Sequence, residues 1–217
     1  MHPFRIAPRC LLLRAGVCAL VLAGAGGGQL LAQDVGPNPL RLSVITGGLA
    51  PRSAFIVDAR GSGHTRLGPG PAFGLDVQYE ALGDHALFAS ATFAFGTLHH
   101  GTNLGVSVRG ATSDAVLYAA TAGIVLNPFD GALRPIVRLG GGLKGYSFDT
   151  EGAEGFITPT GDVGLGFRAG SGAVELGAEI RYLPSVFDQA KLPTRGIVAQ
   201  DQRQTDLVFG ITVTVRP

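Results

Sequence analysis

The sequence predicts an all-β chain: an eight-stranded antiparallel up-and-down β-barrel that crosses a membrane with its strands. Three observations predict it. Apolar residues alternate with small or charged ones in eight segments. The connections between those segments alternate between short and long. The charges on the less apolar face are balanced in sign, as a closed interior requires. Of the 217 residues, 46% are hydrophobic and only 15% charged, yet beyond the N-terminus no apolar run is long enough for a transmembrane helix. A formal net charge of +1 gives no electrostatic case for nucleic acid.

The N-terminal segment has the layout of a secretory signal peptide. Arg5, Arg9 and Arg14 form a basic start, and Ala15 to Ala25 forms a short apolar stretch. Small residues then lead to Ala32, which places cleavage there. The expected organisation is 1–32 signal peptide, 33–39 a short N-terminal segment, and 40–217 the barrel. Both cysteines, Cys10 and Cys18, fall in the leader, so the processed chain has no thiol chemistry.

The strands follow in order. Leu40 to Gly48 sets Leu40, Leu42 and Val44 against Arg41, Ser43 and Gly47. Phe73 to Ala81 sets Phe73, Leu75, Val77 and Tyr79 against Gly74, Asp76, Gln78 and Glu80. Ala86 to Leu98 opposes Leu87, Ala89, Ala91, Phe93 and Phe95 to Ser90, Thr92 and Gly96. In Ala115 to Leu126 the alternation is blurred by Leu117 and Val125. Pro135 to Phe148 carries Arg138, Gly140, Gly142 and Lys144 on one face. Gly161 to Arg168 places Val163, Leu165 and Phe167 opposite Asp162 and Arg168. Val174 to Tyr182 alternates strictly, with Glu175, Glu179 and Arg181 on the polar side. Leu207 to Val215 closes the set.

Short turns are expected at Leu82-Gly83-Asp84-His85, at Asn127 to Gly131 and at Ala169 to Gly172, with turn chemistry from Pro, Asp and Gly. Long connections are expected at Pro51 to Gly70, His99 to Ser113, Asp149 to Phe156 and Pro184 to Gln204. Short periplasmic turns with longer external loops are the asymmetry of outer-membrane barrels.

The apolar face is therefore read as lipid-facing. A soluble exterior carries many lysines, and this chain has two, Lys144 and Lys191. The candidate site is an inner charge network of Asp76, Glu80, Arg138, Lys144, Asp162, Arg168, Glu175, Glu179 and Arg181, with Arg41, Asp206 and Arg216 on the same face. Ion pairing of Glu175, Glu179 and Arg181 with Asp162 and Arg168 is expected to close the barrel centre. Tyr79, Phe129 and Phe167 are expected near one membrane interface, and Phe73, Tyr118 and Tyr182 near the other.

The leader, the eight alternating segments and the alternating loop lengths resemble the OmpA/OmpX-type small outer-membrane barrels over residues 40 to 216. The resemblance is one of architecture. It implies location in the bacterial outer membrane, with outer-membrane lipid and the barrel assembly machinery as partners. Such barrels commonly end on an aromatic residue, whereas this chain ends Val215-Arg216-Pro217.

No catalytic, cofactor or metal residue is assigned, and the chain is expected not to be an enzyme. Gly140-Gly141-Gly142-Leu143-Lys144-Gly145 matches GxGxxG, but no helix pattern follows to hold a phosphate. His64, His99 and His100 lack a completing ligand nearby. Ser185 and Asp188 in the last loop do not form a spacing that supports a triad with those histidines. The expected role is structural or surface-binding through four external loops. The alternatives are a narrow barrel for small or apolar solutes and a lipid-modifying barrel enzyme. The external ligand is left open.

Overall fold

The computed structural model describes residues 39–52, 54–57, 63–82, 85–102, 113–129, 131–149, 155–170, 172–188 and 201–217. They form ten strands: β1 (Leu40–Pro51), β2 (Ala54–Val57), β3 (Gly63–Leu67), β4 (Gly70–Leu82), β5 (His85–Thr102), β6 (Ser113–Leu126), β7 (Leu133–Phe148), β8 (Phe156–Ala169), β9 (Val174–Asp188) and β10 (Asp201–Val215). Eight of them close an antiparallel barrel. Around the wall the order is β4-β1-β10-β9-β8-β7-β6-β5, and β5 pairs back onto β4. The first and last strands meet along a ladder from Leu42↔Val215 to Pro51↔Asp206. Full closure leaves no barrel strand with an unpaired edge, which a lipid surround demands.

Two expectations are corrected. The stretch from Pro51 to Gly70, read as a loop, contains the β2–β3 hairpin, and β3 pairs with the far end of β5 from Leu67↔Leu98 to Gly63↔Thr102. That pairing carries β5 to 18 residues, through His99 and His100. Strands also run further toward the loop end than their alternation indicated. β8 begins at Phe156, and β9 runs through Pro184 to Asp188. Proline lacks an N–H and so ends a clear strand reading. Here the β8–β9 ladder is paired at Thr160↔Ser185 and resumes at Val163↔Tyr182. Between them the Thr160 hydroxyl donates to the Pro184 carbonyl at 2.9 Å.

Period-two geometry sorts the side chains. Leu42, Val44, Leu75, Val77, Leu139, Leu165, Leu176, Ile180, Ile211 and Val213 stand exposed on the outside. At the end of the short turns, Tyr79, Phe129 and Phe167 are exposed; toward the loop end, Phe73 and Tyr182 are. The inside is a packed core. Its polar members include Gln78, Ser90, Thr92, Thr121, Gln204, Thr212 and Thr214 together with the charged residues below. Leu117 and Val125, which blurred the alternation of β6, point inward with Ala115, Ala119 and Thr121. An apolar cluster of Leu49, Leu67, Leu98, Leu117, Tyr146, Phe156, Leu183 and Val208 fills the loop-end half of the lumen. A smaller one, Ala86, Phe88, Val125 and Ile136, lies near the turns.

Glycine makes room at one close approach. A Cβ on Gly140 would lie 2.4 Å from the Ala122 carbonyl oxygen and 2.7 Å from the Phe88 ring. Phe88 lies over that bare backbone, and the Arg138 guanidinium sits 3.5 Å from its ring centre. The stacking is a cation–π contact in a desolvated place.

Candidate functional site

Because alternate residues of every barrel strand point inward, charged side chains from different walls meet in the lumen. They do so in three layers. The middle layer centres on Asp162 of β8, which is 0% exposed. Arg181 of β9 donates to it from Nη2 at 2.5 Å and from Nε at 3.2 Å. Arg138 of β7 donates from Nε at 3.1 Å, and the Thr121 hydroxyl of β6 at 2.6 Å. Arg138 also pairs through Nη1 with Asp76 of β4 at 2.8 Å, and Gln78 donates to the same carboxylate. Arg181 then reaches across: its Nη1 donates to Thr92 at 2.8 Å and to Ser90 at 3.2 Å, both on β5. In the wall order β9 and β5 are diametrically opposed. One side chain therefore bridges the whole diameter. Such charge-assisted bonds are the strong ones, and their fork geometry fixes both partners.

The turn-end layer is held by Glu175 of β9. Arg134 approaches it at 2.6 Å, Arg216 at 3.3 Å and Arg41 at 3.4 Å. Arg41 also pairs with Glu80 of β4. The loop-end layer is smaller. Lys144 of β7 donates to Asp206 of β10 at 2.8 Å and to the Leu183 carbonyl at 2.7 Å, and the Tyr146 hydroxyl donates to the same aspartate. These groups lie beneath the apolar cluster, so their low-dielectric surroundings make each bond strong and each unpaired atom costly.

The structure places all nine candidate residues on the inner side of the wall, but not in one network. Asp76, Arg138, Asp162 and Arg181 meet in the middle. Glu80 and Glu175 belong to the turn end, and Lys144 to the loop end. Glu175 pairs with Arg134, Arg41 and Arg216, not with Arg168. Arg168 and Glu179 are buried and make no ion pair among the described residues; Arg168 Nε and Nη1 and Glu179 Oε1 have no hydrogen-bond partner there. The expected pairing therefore holds for Arg181 with Asp162 alone. The geometric reason is that Arg168 lies opposite Gly177, midway between the two glutamates of β9.

Two members were missed. Arg134 shares the parity of Arg138, but Pro135 was taken as the strand start. Tyr146 shares the parity of Lys144 and reads as an ordinary apolar residue. Ser185 is in β9, not in a loop, and faces inward, whereas the side chain of His99 is exposed. The side chains of His64, His100 and Asp188 lie outside the described residues, as do Lys191 and Arg195. So does all of the segment read as a leader.

No protein-family model matches the chain, and no curated protein matches it significantly. Solved structures do. Neisserial surface protein A (NspA) superposes with a TM-score of 0.54 at 16% identity, covering 82% of this chain and 97% of that one. The outer membrane protein OprG from Pseudomonas aeruginosa gives 0.52 at 12% identity, covering 84% and 99%. With its apolar belt outside and its charges within, this chain has the fold of the small bacterial outer-membrane β-barrels, the architecture that its sequence resembles.

Proposed function

We propose that the protein is a closed outer-membrane barrel whose lumen serves as a structural strut and whose four external connections bind at the cell surface, with no enzymatic step. The observation that carries this reading is the Arg181 bridge from β9 to β5, joined at Asp162 by Arg138. A layer tied across the full diameter leaves no wide aqueous path through an eight-stranded barrel, which is only wide enough to be filled by side chains. The inward Ser185 and the exposed His99 stand on different sides of the wall, which argues against a triad between them.

The test is planar-bilayer conductance of the refolded protein. The expected result is no large steady conductance in the unmodified chain. A large, stable conductance would overturn the strut and move transport to first place. That second reading draws on the apolar loop-end half of the lumen, which suits an apolar solute. Saturable transfer of an apolar dye into proteoliposomes would support it.

A further inference from the structure

Arg168 is 3% exposed and lies in the lumen with two guanidinium nitrogens unpartnered. A buried charge without a partner is costly, and native proteins satisfy such groups with an ion, a ligand or water. Three features say what would satisfy it. First, among the described residues Glu80 and Glu175 are already engaged by Arg41, Arg134 and Arg216, and neither pairs with Arg168. Second, the like charge of Arg41 is among the charges that act on Arg168, together with Asp76, Glu179 and Glu175, and Arg41 Nε is itself buried and unpartnered. Third, the Arg168 stem lies across Gly177, where a Cβ would come within 3.2 Å of Arg168 Cγ and 2.6 Å of Thr212 Oγ1. Arg134 and Arg216 are partly exposed at this end of the lumen, so the layer is open to solvent from the turn side.

We infer that the turn-end lumen is a binding site for a small oxyanion of the phosphate or sulfate class, held by the free N–H groups of Arg168 and Arg41. The Nε–Nη1 edge of Arg168, with the Arg41 Nε–H beside it, matches a tetrahedral oxyanion better than a point charge does. Glu179, which like Arg168 makes no ion pair among the described residues, opposes the bound anion.

The experiment is isothermal titration of refolded barrel in nonionic detergent with inorganic phosphate at constant ionic strength, using sulfate as a second probe. Saturable binding of one anion per barrel is expected. Arg168→Gln should weaken it by about tenfold or more, as loss of a charge-assisted bond implies. Arg168→Lys should retain part of it, and Glu179→Gln should strengthen it. Arg203→Gln, outside the lumen, is the control and should change nothing. Circular dichroism and gel mobility establish that each variant folds. Absence of saturable binding to the unmodified barrel overturns the inference, whatever the variants do. So does binding that Arg168→Gln leaves unchanged, or that Glu179→Gln weakens, since removing a carboxylate that opposes the anion cannot cost affinity. The outcome is independent of conductance, so the site and the strut can fail separately.

Discussion

Replacing Asp162 with alanine should be among the most damaging single changes in the lumen. The carboxylate is fully buried and accepts from Arg181 twice, from Arg138 and from Thr121. Its removal leaves two guanidinium groups facing each other in a closed interior. Arg138 keeps Asp76 at 2.8 Å, and Arg181 keeps only the neutral hydroxyls of Ser90, Thr92 and Thr121. Breaking a buried pair on one side costs about 3–5 kcal/mol. The remaining partners place Asp162→Ala toward the lower half of that range, about 3–4 kcal/mol. The assay is reversible urea unfolding in a bilayer or detergent system, followed by circular dichroism and gel mobility. Arg203→Ala, an exposed loop-end residue, is the reference and should cost less than about 1 kcal/mol. Equal stabilities for the two variants would refute the claim that the groups of the middle layer depend on one another.

Two other changes probe the wall. Ile180 is 46% exposed on the outer face at the height of the middle layer, so Ile180→Arg should cost about 2–4 kcal/mol, the midplane value; folding titrations in lipid vesicles measure this, and a neutral effect would argue that the face meets water. Gly140→Ala should cost about 1–3 kcal/mol, because the new methyl meets the Ala122 carbonyl and the Phe88 ring that stacks on Arg138. Unchanged stability in the same unfolding assay would mean that the wall relaxes freely there.

The alternation made the barrel legible because a strand with two differently solvated faces writes its facing into every second residue. In β9 the run from Val174 to Tyr182 fixes the orientation of Glu175, Glu179 and Arg181 without any tertiary information. What alternation cannot carry is partner choice. Glu175 meets Arg134 from β7, Arg41 from β1 and Arg216 just past the end of β10 because register and shear bring them to one height, and those are properties of the closed wall. Nor does alternation report an apolar interior. Leu117, Leu183 and Val208 point inward on strands whose outward residues are also apolar, so the period fades just where the loop-end cluster forms. The β2–β3 hairpin was illegible for a different reason: Arg60-Gly61-Ser62-Gly63-His64 has turn chemistry but no alternating flanks.

The layering of the lumen also bears on how such a wall gets across a bilayer. A barrel inserted from the turn side must push its loop ends through the hydrocarbon while its turns stay behind. Among the described lumen residues, the half that makes the full crossing is led by Leu49, Leu98, Leu117 and Phe156, and its charged members are Lys144 and Asp206, which travel as a neutral pair. Arg41, Arg134, Arg216, Glu80 and Glu175 remain on the side of entry. The ions of the turn-end layer are thereby spared the passage, and the full crossing falls to the part of the interior that lipid tolerates best.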